Sequence, residues 1–292
     1  MPVPANTPER DSADSVDDQQ MRLIDLLHQG RPRIIASWLV GDVIVDPGPS
    51  SCLERLLAEL GQCQPRVLAL THIHLDHAGA AGSLVRRFPQ LEVWVHERGA
   101  AHLVDPSRLL ASAGRLYGAR MQSLWGEVAA VPAERIRVLR DGERIGGLRV
   151  AQTPGHASHH LVYLHEDSGR LFSGDVGGVR LSKRGPVLAP TPPPDIDLQD
   201  WRGSLKLIED WHPSAIMPTH FGLYTDVAEH LAALRESLEL AEGWARCGQR
   251  QQFTSALRER MTRGDPDLAQ AYELAMPPEQ CYQGLRRYLA ND

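Results

Sequence analysis

Between Thr71 and Gly79 the chain reads Thr-His-Ile-His-Leu-Asp-His-Ala-Gly, which puts His72, His74, Asp76 and His77 within six consecutive positions. Neutral imidazole and carboxylate are the donors that zinc, iron and manganese accept. A polar loop of solvated histidines is the plainer alternative, and the density of the cluster argues against it. The apolar run over 67–70 just ahead predicts a strand. A tight loop at its end would point His72 and His74 one way and turn Asp76 and His77 back.

Three later positions supply what the cluster lacks. His156 closes Thr153-Pro154-Gly155-His156, Asp175 closes Ser173-Gly174-Asp175, and His220 closes Pro218-Thr219-His220. Each follows an apolar, strand-like run, over 148–151, 171–172 and 215–217. Donors delivered from the ends of successive strands converge on one edge of a sheet, where rigid elements hold them. One such residue could be an accident; three in this order are not.

On these motifs, over about residues 34–222, the chain resembles metallo-β-lactamase-fold hydrolases of the dinuclear, glyoxalase II-like branch. The Asp46-Pro47-Gly48 turn after a hairpin over 35–40 and 43–45 belongs to the same resemblance. It implies an α/β fold, the four-layer αββα sandwich. It also implies that His72, His74 and His156 hold one divalent metal ion, that Asp76, His77 and His220 hold a second, and that Asp175 bridges them. Zinc is expected first, and iron and manganese suit the same donors. Two cations sharing a water lower its pKa from about 15.7 to near 7, so a metal-bridging hydroxide can attack at neutral pH. Asp76 and Asp175 are then the catalytic carboxylates, Asp76 orienting the hydroxide or passing its proton to the leaving group. No G-x-S-x-G elbow offers a serine nucleophile instead.

Departures narrow the substrate. The commonest dizinc β-lactamases carry Cys where this chain has Asp175, and flavodiiron proteins carry Glu where it has His74. Quorum-signal lactonases place a Tyr three residues beyond the bridging Asp, where this chain has Gly178. The C-terminal basic pair with which glyoxalase II proteins bind glutathione has no counterpart here. The expectation is a small ester, thioester, lactone or phosphodiester, with carboxyl esters favoured. A mononuclear-iron persulfide dioxygenase and a metal-containing binding or regulatory protein are the alternatives.

The chain has 292 residues, a formal charge of −6 and a pI near 6.1. That balance argues against a nucleic-acid partner held by bulk electrostatics. No apolar run reaches the ~20 residues that cross a bilayer. Residues 1–20 are Pro-, Ser- and Asp-rich without periodicity, so a disordered tail rather than a secretory signal is expected. Cys52, Cys63, Cys247 and Cys281 show no C-x-x-C spacing and are expected to be reduced and largely packed. These readings give a cytoplasmic enzyme of small molecules, with a homodimer open.

The elements that position the donors follow from periodicity. Helices are predicted over 51–60 and 78–88, and strands over 67–70, 92–96, 136–139, 148–153, 161–164 and 171–174. Asp197 is read as the N-cap of a helix ending near Trp211, before Pro213. The domain reading is a core over 21–225, with a helical insertion near 97–132, and a helical extension over 226–292. The insertion is read as a partial lid, because its ends lie near the metal edge. His160, Tyr117 and Tyr224 are further candidates, His160 to orient a ligand imidazole and the tyrosines to meet an oxyanion. His96 is read as a satisfied structural histidine. The run over 180–184 is read as a solvated basic loop, and the Pro-rich stretch over 189–194 as a stiff surface connection.

Overall fold

The structure is a computed structural model that describes residues 21–291. The tail expected over 1–20 lies outside the described residues. The first sheet follows chain order: β1 (Met21–Asp25), β2 (Ala36–Val40), β3 (Val43–Val45), β4 (Val67–Ala69), β5 (Glu92–His96) and β6 (Ile136–Leu139). Its first three strands pair antiparallel, and β3 through β6 run parallel. The second sheet contains β7 (Arg144–Ile145), β8 (Leu148–Gln152), β9 (Leu161–His165), β10 (Arg170–Phe172) and β11 (Ala215–Met217), in the order β11-β10-β9-β8-β7.

Side chains of alternating direction bury both faces of each sheet. Val43 and Val45 of β3, Trp94 of β5, Leu161 and Tyr163 of β9 and Phe172 of β10 form an apolar layer between the sheets. Their neighbours Ile44, Val93, Val95 and Val162 turn outward into a second cluster shared with the helices. Helices α1 (Leu53–Leu60), α2 (Leu75–Ala78) and α3 (Ala81–Arg87) lie between β3 and β5 in the chain, and α4 (Glu97–Val104), α5 (Ser107–Tyr117) and α6 (Met121–Trp125) between β5 and β6. Helix α7 (Leu198–Asp210) precedes β11, and α8 (Val227–Arg246), α9 (Arg250–Met261), α10 (Ala269–Ala275) and α11 (Pro278–Asn291) follow it. The architecture is the αββα sandwich. Leu231 and Leu234 of α8, Phe253 of α9, Tyr272 of α10 and Leu285 of α11 join the cluster that holds Leu205 and Ile208 of α7.

Asp197 caps α7 as its sequence position predicts, accepting the Asp200 amide at 2.9 Å. Of the helix predicted over 78–88, residues 81–87 form α3, and a separate short helix, α2, precedes it with a break at Gly79 and Ala80. The amide of Ala80 donates to Gly48 O at 2.9 Å, and the amide of Gly48 donates to His77 O at 3.0 Å. The Asp46-Pro47-Gly48 turn therefore takes the bonds that would have continued the helix. That break lets His77 face the edge of the first sheet while α3 packs beneath it.

The two sheets are joined at that edge. The Leu161 amide donates to Thr71 O at 2.6 Å and the Ala36 amide to Thr219 O at 2.8 Å. The Tyr163 hydroxyl donates to Leu70 O at 2.7 Å.

Candidate metal centre

Segments leaving the C-terminal ends of β4, β8, β10 and β11 carry His72, His156, Asp175 and His220 to the joined edge. Two glycines let them approach. At Gly155 φ is +135°, and a Cβ there would lie 2.4 Å from Trp201 Cα, so α7 packs directly against the turn ahead of His156. At Gly174 φ is +49°, and a Cβ would lie 2.6 Å from Thr71 Oγ1 and 2.7 Å from His160 Nε2. A side chain at either position would push a donor away from the edge.

All seven donors expected from the sequence come together. His74 Nδ1 lies 2.9 Å from His72 Nε2 and 3.0 Å from His156 Nε2. Asp76 Oδ2 lies 3.5 Å from His220 Nε2 and 3.9 Å from His77 Nε2. Asp175 stands between the two groups, with Oδ2 3.3 Å from His156 Nε2 and Oδ1 3.2 Å from His77 Nε2 and 3.6 Å from His220 Nε2. Within each of the sets His72–His74–His156, His72–His77–Asp175 and Asp76–His77–His220, one donor atom per residue lies within 4.8 Å of the others.

The far nitrogen of each anchored imidazole fixes which lone pair is free. His156 Nδ1 donates to Pro190 O at 2.9 Å, and His220 Nδ1 donates to Ile34 O at 2.6 Å. His72 Nδ1 meets Thr71 Oγ1 at 3.1 Å, and His77 Nδ1 donates to Asp46 Oδ2 at 2.8 Å. Each ring therefore turns its Nε2 into the site. Asp46 gathers four donors: the Thr71 amide at 2.8 Å on Oδ1, and the Thr71 hydroxyl, the Thr219 hydroxyl and His77 on Oδ2, all within 2.8 Å. It fastens the loops after β4 and β11 to each other.

The donor set fits a cation. His77 Nε2, His220 Nε2 and Asp175 Oδ1 are buried and have no hydrogen-bond partner, although buried polar atoms normally find one. Burial opposes a charge on His77, but Asp175, Asp46 and Asp76 outweigh it and hold its pKa well above the ordinary range. Burial likewise opposes ionisation of Asp175, yet His77, His220 and His156 hold its carboxyl well below the usual range. Two buried carboxylates, Asp46 and Asp175, with the partly exposed Asp76 beside them, call for positive charge at this edge.

A cavity of about 620 Å³ opens in front of His74, Asp76 and Asp175. Leu109, Ala113 and Leu116 of α5 and Leu124 and Trp125 of α6 form one wall, and the α10–α11 turn forms another. The inserted helices thus stand beside the donor edge as one wall of the cavity. Tyr117 lines this cavity, with its hydroxyl 3.3 Å from Gln280 Oε1. Pro190, Pro192, Pro193 and Pro194 line it too, so the Pro-rich stretch is a cavity wall and not a surface connection. Composition shows that such a segment is stiff, and what covers it is a tertiary fact.

Other expectations need correction. His160 meets a ligand imidazole, but that of His72, while His156 is held by Pro190 O. His160 stacks on His72 with centroids 5.0 Å apart, bonds Thr153 Oγ1 at 2.9 Å, and accepts the Val176 amide at 3.3 Å. Tyr224 is not among the cavity residues; its hydroxyl donates to Arg180 O, and its ring lies under the Arg180 guanidinium. Arg180 itself is buried and pairs with Asp226 at 2.7 and 2.9 Å, so it is not part of a solvated loop. His96 accepts the Arg98 amide at 3.0 Å and caps α4, the structural role expected of it.

His28 carries no motif and sequence reasoning passed over it. It lines the cavity, stacks on Trp125 at 5.6 Å, and places Nδ1 3.7 Å from Cys52 Sγ. Burial lowers its pKa, with Asp76 acting in the opposite direction. Left-handed backbone at Leu27 (φ 50°) and Gln29 (φ 55°) turns it inward, and no sequence pattern announces such a turn at Leu and Gln.

Residues 30–220 match the family model described as the metallo-beta-lactamase superfamily. The metallo-beta-lactamase fold-containing protein ST1585 of Sulfurisphaera tokodaii is 29% identical over 182 residues, 59% of this chain and 67% of that protein. A hydroxyacylglutathione hydrolase of Cupriavidus taiwanensis is 32% identical over 146 residues, 47% of each chain, so the match spans about half of that relative's length. The crystal structure of TTHA1623 in a di-iron-bound form superposes with a TM-score of 0.52 at 25% identity, covering 73% of this chain and 92% of that one. The fold, the His/Asp clusters at its strand ends and the family match agree: this chain belongs to the metallo-beta-lactamase superfamily, whose members bind divalent metals and are in general hydrolases.

Proposed function

We propose that the protein is a dinuclear metal-dependent hydrolase of small carboxyl-ester-type substrates, esters and thioesters foremost. His72, His74 and His156 would hold one ion and Asp76, His77 and His220 the other, with zinc first among the metals. The observation that carries this reading is Asp175. One of its oxygens faces His156 and the other faces His77 and His220, the placement of a carboxylate shared by two sites.

Two divalent cations bound there would supply a water of low pKa and a Lewis acid for the carbonyl oxygen. The chain's own residues do the rest. Both Asp76 and Asp175 line the cavity, and Asp76 is the more accessible, its side chain 21% exposed against 5% for Asp175. It is therefore the group that carries a proton at Oδ2 between the attacking water and the leaving group. Asp46 holds His77 in one tautomer, and Thr71 does the same for His72. The inserted helices and the α10–α11 turn exclude water around the reacting carbonyl. The chain's formal charge of −6 favours carboxyl esters over phosphodiesters.

The test measures metal content per chain and initial rates on matched thioesters, esters, lactones, β-lactams and phosphodiesters, with Asp175→Asn alongside. The expected result is two metals per chain and turnover of an ester or thioester, with one metal and about 100-fold of the rate lost in the variant. Unchanged metal content and rate in Asp175→Asn would sink the dinuclear assignment. One iron per chain with oxygen uptake on a persulfide would replace hydrolysis by dioxygenation.

A further inference from the structure

The cavity is larger and more apolar than an ester bond alone requires. Beyond His74, Asp76 and Asp175 its walls are mostly Leu, Pro, Ala, Trp and Met side chains. His28 and Ser112 are polar side chains on the α5–α6 side, and four others on the wall have partners. Glu273 and Glu279 are both held by Arg258, at 3.2 and 2.7 Å, and the Tyr117 hydroxyl meets Gln280. Arg120 and Gln270 line the cavity yet are exposed, which marks its mouth. A space with one polar end and apolar walls holds water poorly and gains by taking up an apolar group.

Direction follows from charge. Ester or thioester cleavage leaves a carboxylate on the acyl fragment, and an anion belongs beside the cations at the donor edge. The alcohol or thiol carries no such charge and departs through the mouth. The acyl chain then points away from the donors, between Leu116 and Trp125 on one side and Leu274 and Met276 on the other.

Resting on the hydrolase reading above, we infer that the substrate is an ester or thioester of a medium-chain apolar acid, its acyl group lodged between the α5–α6 insertion and the α10–α11 turn. About 620 Å³ lies within the range of pockets that enclose drug-sized molecules, so a chain of about six to ten carbons fits. Each methylene taken from water into this cavity raises kcat/KM by about fourfold until the space is full.

The experiment uses the metal-loaded protein and straight-chain acyl thioesters from acetyl to decanoyl. It also titrates sodium octanoate while following tryptophan fluorescence, with Trp125→Phe as the control. The expected result is kcat/KM rising about fourfold per methylene as far as octanoyl, and a saturable octanoate signal lost in Trp125→Phe. Leu116→Trp fills the wall and should lower the octanoyl-to-butanoyl ratio of kcat/KM by at least about tenfold. Turnover that is flat with chain length, with no octanoate signal, overturns the acyl-cavity assignment and leaves hydrolysis standing. Saturable octanoate binding without turnover of any ester or thioester supports the assignment and refutes the hydrolase reading instead.

Discussion

Replacing Asp46 by Asn tests how the site is built without altering any proposed metal ligand. Asp46 has φ +49°, a left-handed conformation that Asn tolerates and Ala does not, so Asn isolates the loss of charge and of one acceptor. The carboxylate is 1% exposed and accepts four hydrogen bonds, three of them on Oδ2. In the variant the amide oxygen will take the Oδ2 position, since the reverse would set an NH2 group against three donors. The NH2 then faces the Thr71 amide, leaving a buried donor unmet at a cost of about 1–3 kcal/mol. The remaining three bonds lose their charge assistance, about 1 kcal/mol each before the relief of no longer burying an anion. A net destabilisation of about 2–4 kcal/mol follows. His77 keeps its position but loses its anionic partner, which lowers metal affinity by about 10- to 100-fold.

The two effects separate experimentally. Urea unfolding of the metal-free proteins reads the first, and competition with a chelator reads the second. A variant with a wild-type urea midpoint that also keeps both metals against the chelator would refute this account of Asp46. Loss of stability with unchanged metal affinity would leave Asp46 a fastener of the loops and remove its role towards His77.

Two further outcomes are expected. His28→Phe should keep the ring stacked on Trp125 while removing a polar group from the cavity, so kcat/KM falls about tenfold with stability within about 1 kcal/mol; undiminished kcat/KM would assign His28 to packing alone. His230 is pushed down to about 4 by burial, its Nε2 donating to Gly177 O at 2.8 Å and its Nδ1 lying 3.4 Å from Arg180, so the fold accepts only the neutral ring. Between pH 6.5 and about 4 the unfolded chain takes up a proton that the folded chain refuses. Stability from this residue is therefore full above pH 6.5, falls towards pH 4 by on the order of 2–3 kcal/mol, and is flat below. Wild type should lose urea-midpoint stability across that window that His230→Gln does not lose, so the gap between them changes as pH falls, and parallel curves would refute the assignment.

The donors were legible because the chemistry is local. His72, His74, Asp76 and His77 share one strand end, and His156, Asp175 and His220 each follow a short apolar run within a few residues. Glycines 155 and 174 stand beside two of them because close packing forbids a side chain there. The residues that were misread depend on partners distant in the chain. Arg180 looks like a loop cation until Asp226 and Tyr224 close on it, and Tyr224 looks like a spare phenol until its hydroxyl reaches Arg180 O. His28 owes its place to two left-handed residues that no pattern marks.

The cavity was illegible for a different reason. Leu109, Ala113 and Leu116 show the apolar face of α5 plainly, and helical spacing also marks α11. Each pattern says that a face wants burial, and each is satisfied equally by a neighbouring helix or by a ligand. Whether the two faces meet or stand apart is set by what holds them, here Tyr117 to Gln280 across the gap and Arg258 clamping α10 to α11. An unfilled volume is a difference between two packings, so it has no residue of its own to announce it. Candidate metal donors can be read from residue types at strand ends, while the shape of the space in front of them lies between elements and becomes visible only once they are assembled.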